Sequence, residues 1–214
     1  MGITAHNRAD LLGGRCHLAV QVLSLGIGDT TVDSHLALPV VPHDLGRLSA
    51  VELVPFAAAI RAGIPALMTA HLLLPALDPE HPATLSRPIL TDLLREQLDF
   101  RNLVISDDLL MQGIADSTPP GEAAVRFIEA GGDLMLICHD EAAQRQALVV
   151  VTEAVETGRL SEARVRASCN RIADAKAQYL HRKLAASAEE IRAVVGCDAH
   201  QRLAESVGRD DKGS

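Results

Sequence analysis

Short segments that are almost wholly apolar alternate along the chain with longer segments that mix apolar and polar residues. The apolar segments fall at residues 17–25, 65–69, 103–106 and 134–138. Each one predicts a short strand buried on both faces, because a half-exposed strand would alternate apolar and polar residues. Strands that alternate with helices of about 10–15 residues predict βαβ units and a parallel sheet. The pattern therefore predicts an α/β fold, with its chemistry gathered at the carboxyl ends of the strands.

Signals for the start of a helix lie between the predicted strands. Ser49 and Glu52 form a Ser-x-x-Glu capping box, which predicts a helix that begins at Ser49 and continues to residue 60. Ser86 and Asp140 are the predicted N-caps of two later helices. Further helices are predicted at residues 88–98, 120–130, 140–156, 161–181 and 186–195.

The number of strands limits the architecture. A closed (β/α)8 barrel needs eight strands and typically about 250 residues, whereas this chain has 214 residues and about four predicted strands. The sequence therefore predicts a partial (β/α)8 TIM barrel followed by C-terminal helices. In this interpretation residues 1–15 are an irregular segment, residues 16–182 form the partial barrel, and residues 183–214 form a helical linker with a polar tail.

Composition and charge exclude several classes of partner. The net charge is −8 and the 20 basic residues form no patch, which argues against a nucleic-acid partner. No apolar run reaches the roughly 18 residues of a membrane helix. The four Cys residues lie far apart in the sequence, so we expect reduced, mostly buried thiols, which fits a cytoplasmic location.

Two strand-end loops carry the candidate chemistry. Asp107 follows a predicted strand, where such a carboxylate serves as a nucleophile, a metal ligand or a helix cap. Asp33 and His35 are one residue apart and form either a proton-transfer dyad or an ordinary exposed loop. A carboxylate and a dyad together supply the two roles that double displacement at an anomeric carbon needs. His71 also ends a strand, and it either faces the cleft or makes structural hydrogen bonds.

Other kinds of site have less support from the sequence. A Ser–His–Asp triad through Ser34 or Ser106 is disfavoured, because neither serine lies in a Gly-x-Ser-x-Gly elbow. No two histidines have HxH or HxxxH spacing, so the sequence does not predict a metal site.

Several motifs together resemble one enzyme family. Residues 26–39 read GIGDTTVDSHLALP, residues 68–71 read MTAH, and residues 104–111 read VISDDLLM. In this order and spacing they are similar to the motifs of family 3 β-N-acetylhexosaminidases. The resemblance implies a retaining hydrolase that releases terminal β-linked N-acetylglucosamine, often in peptidoglycan recycling. It also implies a small carbohydrate substrate and no metal or organic cofactor.

The resemblance assigns a role to particular residues. Asp107 would be the nucleophile, His35 the general acid/base and Asp33 its dyad partner. The residues expected to contact the substrate are His71, Asp29 and Met111. The resemblance further implies that the chain corresponds to about the last four β/α units of the barrel, with the first four preceding residue 1.

The chain departs from the family pattern just before the glycine loop. The family has Lys-His-Phe-Pro there, and its Lys and His bind sugar hydroxyls, whereas this chain has Val22-Leu23-Ser24-Leu25. A half-barrel would also expose sheet edges, which favours self-association. Two alternatives remain: an active β-N-acetylhexosaminidase, or a truncated family 3 fragment that is inactive or only binds sugar.

Overall fold

A parallel sheet forms the centre of the protein. The computed structural model describes residues 20–23, 36–179 and 187–207, and the chain divides into two units at Tyr179. The strands of the first unit are β1 (Val20–Leu23), β2 (Ala66–Thr69), β3 (Leu103–Asp108) and β4 (Leu134–Leu136). They lie in the order β1-β2-β3-β4, and every neighbouring pair is parallel. The predicted α/β fold with a parallel sheet is confirmed.

Helices connect the strands and follow the last one. The first unit contains α1 (Leu45–Arg47), a π-helical turn (Leu48–Glu52), α2 (Leu53–Arg61), a π-type helix (Pro88–Gln97), α3 (Gln112–Ala115), α4 (Pro120–Ala130), α5 (Glu141–Glu156) and α6 (Glu162–Tyr179). The second unit contains α7 (Ala188–Val194) and α8 (Asp198–Val207). The boundaries predicted for the three domains stay predictions.

The predicted start of the first helical segment is wrong. The segment begins at Leu45, where the Asp44 carboxylate accepts a hydrogen bond from the Arg47 amide at 2.7 Å. Glu52 does not reach back to Ser49. Its side chain is only 7% exposed and accepts a hydrogen bond from Arg47 Nε at 3.1 Å. The local capping signal is overridden because Glu52 is buried against Arg47.

The other two predicted caps are confirmed. Ser86 Oγ accepts a hydrogen bond from the Ile89 amide at 3.3 Å at the start of the helix Pro88–Gln97. Asp140 accepts from the Ala142 and Ala143 amides at 2.8 and 3.0 Å at the start of α5. Each side chain satisfies amides that lack a partner in the first turn of the helix.

Both faces of the sheet are covered at β2 and β3, as their apolar residues predict, whereas Leu134 of β4 is exposed, so the predicted burial is wrong for that strand. Leu67 and Val104 belong to the main core between the sheet and its helices. Leu103 and Ile105 belong to a separate cluster on the other face, where Ile172 of α6 packs against them. The alternation of these residues along β3 follows from the two-residue period of a strand.

A buried ion network ties the amino ends of two strands to the helices. The Asp133 carboxylate, just before β4, has no exposed surface. Its Oδ2 accepts from Arg95 Nη2 at 2.6 Å and from the Val104 amide at 3.0 Å. Its Oδ1 accepts from Ser168 Oγ at 2.7 Å and from Arg171 Nη1 at 3.0 Å. One carboxylate therefore joins β3, the helix Pro88–Gln97 and α6.

Two expectations drawn from composition have different outcomes. Cys138 and Cys169 are exposed and Cys197 is partly buried, so the prediction of mostly buried thiols is wrong for the described cysteines. Among the helices of the described ranges, none is both long and apolar enough to cross a membrane. The cytoplasmic location stays a prediction.

Candidate active site

A β-bulge interrupts β3 at the predicted nucleophile. Ile105 pairs with Leu134 and Asp108 pairs with Leu136, so β3 advances by one residue more than β4 over this stretch. Ser106 and Asp107 occupy the bulge. Bulges bend a strand and redirect its side chains, and they are over-represented next to active sites.

Ser106 fills a gap in the hydrogen-bond ladder of the bulge. Its side chain is fully buried, and its Oγ accepts a hydrogen bond from the Leu136 amide at 2.9 Å. The hydroxyl oxygen thus replaces a main-chain acceptor that the bulge has displaced. A hydroxyl enclosed in this way is not accessible to substrate, which argues against a triad through Ser106, while Ser34 lies outside the described residues.

Asp107 and Asp108 play different parts at the carboxyl end of β3. Asp107 is half-buried, and its Oδ1 accepts a hydrogen bond from the Asp108 amide at 2.9 Å. No hydrogen bond from the described residues reaches Asp107 Oδ2. Asp108 Oδ1 instead accepts from the Leu110 and Cys138 amides at 3.1 and 3.3 Å. Asp108 is therefore the carboxylate that caps the turn, whereas the described residues leave one oxygen of Asp107 without a hydrogen bond.

His71 lies beneath this strand end and is fully buried. Its Nδ1 is 2.8 Å from Thr84 Oγ1, and its Nε2 is 2.9 Å from the carbonyl oxygen of Asp108. These two hydrogen bonds fit the structural alternative for His71, and its predicted contact with substrate stays a prediction. The sequence did not indicate Thr84, because 13 residues separate it from His71.

Met111 takes part in the same turn through its main chain. Its amide donates to the carbonyl oxygen of Asp108 at 3.0 Å, and its side chain is largely buried at the start of α3. Its predicted contact with substrate stays a prediction. Asp29, Asp33 and His35 lie outside the described residues.

Two further side chains at this edge were not predicted as site residues. His139 Nδ1 lies 3.6 Å from Asp108 Oδ2, and the Cys138 thiol lies beside the same carboxylate. Desolvation, followed by the negative charge of Asp108, raises the pKa of the Cys138 thiol. The thiol therefore stays protonated at neutral pH and does not compete as a nucleophile. Within the described ranges, no three His, Cys, Asp or Glu side chains come together as metal ligands would.

Several proteins of known class are similar to this chain. "Beta-hexosaminidase A" of Pseudoalteromonas piscicida is 34% identical over 83% of this chain and 32% of its own length. The "Beta-hexosaminidase" of Thiobacillus denitrificans is 40% identical over 55% of this chain and 33% of its own length. The solved structure of a glycoside hydrolase family 3 β-N-acetylglucosaminidase from Paenibacillus matches with a TM-score of 0.75 and 40% identity, over 84% of this chain and 34% of that one.

These relatives and a family model lead to one assignment. The chain spans about a third of the length of each of these three relatives. The model described as "Glycosyl hydrolase family 3 N terminal domain" matches residues 24–175, which is most of this chain. The chain therefore belongs to glycosyl hydrolase family 3.

Proposed function

We propose that this chain provides the catalytic machinery of a retaining β-N-acetylhexosaminidase that releases terminal β-linked N-acetylglucosamine. The observation that carries the proposal is the Asp107 carboxylate, which lies in a bulge at the carboxyl end of β3. One of its oxygens is held by the Asp108 amide and the other has no hydrogen bond from the described residues. The substrate class comes from the names of the relatives, which are a β-N-acetylglucosaminidase and two β-hexosaminidases.

The proposed reaction has two steps. Asp107 Oδ2 attacks the anomeric carbon, the bond to the leaving oxygen breaks, and His35 gives that oxygen a proton. His35, oriented by Asp33, then takes a proton from water, which attacks the glycosyl–Asp107 ester and restores the β-configuration. Asp29 and Met111 are proposed contacts of the sugar. The small carbohydrate is the partner, and glycosides or peptidoglycan fragments are its proposed sources.

We further propose that the sheet is part of a (β/α)8 barrel, within a domain spanning residues 16–182. Two observations support this. The strand order β1-β2-β3-β4 has no reversal, as in a barrel, whereas a doubly wound sheet reverses its order. β3 is also buried on both faces. In the described sheet β1 and β4 each have one partner, and these edges are the proposed surfaces for self-association.

Hydrolysis of p-nitrophenyl N-acetyl-β-glucosaminide by the purified chain tests the activity. Asp107→Asn should lower kcat by about 10³-fold or more, because an amide oxygen is a poor nucleophile. Asp116→Asn is the matched control, since Asp116 is exposed at the end of α3, and it should leave the rate unchanged. Sugar binding without turnover by the unmodified chain would instead support the sugar-binding alternative.

Rescue by a small anion separates a nucleophile from a capping residue. Asp107→Ala opens space beside the anomeric carbon, where azide can attack with the leaving group on the opposite face. The expected product is the α-glycosyl azide, identified by its NMR coupling constants. A β-azide, or loss of activity that azide does not restore while Asp107→Ala still binds substrate, would contradict the role of Asp107.

A further inference from the structure

Side chains replace the main-chain ladder on both sides of the bulge. Regular pairing between β2 and β3 extends only to Met68 and Ile105. Beyond that pair, His71 from the end of β2 binds the Asp108 carbonyl. On the opposite side, Ser106 accepts from β4 where the ladder shifts register. The strand end that carries Asp107 is thus held laterally by two buried polar side chains.

The hydrogen bonds to His71 have a defined direction. A carbonyl oxygen can only accept, so the bond to Asp108 requires the proton on His71 Nε2. In the neutral ring Nδ1 then accepts from the Thr84 hydroxyl at 2.8 Å, and the same hydroxyl also lies 3.3 Å from the Ala70 carbonyl, the longer of its two donor contacts. Because the Thr84 proton is used in this way, Thr84 Oγ1 accepts from Thr69 Oγ1 at 3.0 Å. Thr69, His71 and Thr84 are all fully buried. Hydrogen bonds in such a dry environment are strengthened, and breaking one is costly.

The main chain of Asp108 connects His71 to the nucleophile. Its carbonyl oxygen accepts from both His71 Nε2 and the Met111 amide, which uses both lone pairs. Its amide donates to Asp107 Oδ1. We propose that His71 is a positioning residue, which sets the direction of the Asp107 carboxylate through the main chain of Asp108. This inference rests on the proposed role of Asp107 as nucleophile.

Two substitutions of His71 separate its two hydrogen bonds. His71→Gln carries an amide donor to about the position of Nε2 and can still bind the Asp108 carbonyl. His71→Asn reaches only the position of Nδ1, next to Thr84. In His71→Asn we expect kcat to fall about 10- to 100-fold with little change in KM, and we expect His71→Gln to recover most of the loss. His200→Asn, at an exposed position of α8, is the control.

Hydrogen exchange tests the same variants without relying on activity. The Leu109 amide bonds to the Leu136 carbonyl, and the Leu136 amide bonds to Ser106, so both report on the bulge. Their exchange should be about tenfold faster in His71→Asn than in the unmodified chain or in His71→Gln. In the unmodified chain, nitrogen NMR of the imidazole should show a proton on Nε2.

The outcomes separate the positioning role from the proposed function. If the unmodified chain has no turnover but exchange is faster only in His71→Asn, the proposed function fails and the hold on the bulge stands. If exchange in His71→Asn equals that of the unmodified chain, or if an active unmodified chain and His71→Asn have equal kcat, the positioning role is overturned. A ring protonated only on Nδ1 overturns it as well. If His71→Asn does not fold, Thr84→Val replaces it, because removing the hydroxyl frees the ring and should loosen the same amides.

Discussion

Replacing the buried Asp133 with Asn should lower the free energy of unfolding by about 3–5 kcal/mol. The carboxylate has no exposed surface and accepts from Arg95, the Val104 amide, Ser168 and Arg171. Asn keeps the shape of the side chain but carries no charge, and one of its terminal atoms donates instead of accepting. At least one of the groups that donate to Asp133 would then face the NH2 group of the Asn side chain. The surrounding guanidinium groups would also lose their negative partner.

The surrounding arginines explain why the loss should be large. Burial lowers the pKa of the Arg95 guanidinium, and the charge of Asp133 opposes that shift. The Arg164 guanidinium, 3.8 Å from the same carboxylate, has its pKa lowered for the same reason and with the same opposition. Without Asp133, these positive charges would remain close together and partly out of water. The cost is therefore closer to that of an unpaired buried charge than to that of one lost hydrogen bond.

Urea unfolding followed by far-UV circular dichroism measures the effect. A domain is stable by only about 5–15 kcal/mol, so the midpoint should fall markedly while the slope stays the same. Asp99→Asn is the matched control, because the Asp99 side chain is 71% exposed and pairs with Arg101 on the surface. The control should change stability by no more than about 0.5 kcal/mol. A difference between the two variants below about 1 kcal/mol would refute the reasoning, since a buried pair would then behave like a surface pair.

Two further predictions concern charge and packing in the same unit. The Arg159 hydrogen bonds lower the pKa of Glu122 from 4.5 to about 2, so its stabilisation is present above pH 4.5 and is lost as the pH falls to about 2. After allowance for solvent screening, Glu122→Gln should lower the free energy of unfolding by about 1 kcal/mol at neutral pH. In a plot of urea midpoint against pH, the fall of the midpoint at acid pH should become shallower in this variant. An unchanged fall would contradict the prediction. Gly132→Ala would place a Cβ 2.1 Å from the Phe127 ring and should cost about 2 kcal/mol or more. Gly158→Ala is the control, because its Cβ would have no neighbour within 4 Å. Only the positive φ of residue 158 would lower its stability, by about 1 kcal/mol. Equal thermal midpoints for the two variants would argue against the clash between the new Cβ and Phe127.

The sequence predicts those elements whose signals are local and unopposed. The sequence predicts both ends of the helix Pro120–Ala130 correctly. Pro120 is favoured in the first turn of a helix, and Gly131 after its end has a positive φ of 120°, which favours glycine. The start at Ser49 was wrong because two local signals competed. The Asp44 cap prevailed, and Glu52 became buried against Arg47.

The interior of the candidate site depends on residues that are distant in the sequence. His71 and Asp108 are 37 residues apart, and Ser106 and the Leu136 amide are 30 apart. The motif around Asp107 predicts a strand-end carboxylate, but the bulge depends on the register between β3 and β4, which no local pattern encodes. From residue spacing alone a helix-capping role for the carboxylate stays open, and only the family resemblance points to Asp107 as the nucleophile; the structure adds that Asp108 is the carboxylate that caps the turn.

The carboxylates at the two ends of β3 lie in different environments. One is buried and stabilises the fold, and the other is half-buried and is the proposed nucleophile. At the amino end, the Val104 amide joins a carboxylate that is fully enclosed by donors. At the carboxyl end, Asp107 has one oxygen held and is only half-buried. Asp107 follows Val104 by three residues, or roughly 10 Å of strand, which is at the upper limit of the range over which substitutions usually couple. The network that anchors the strand at one end is thus separate from the proposed nucleophile at the other, and parallel β/α folds make the same division between the two ends of their strands.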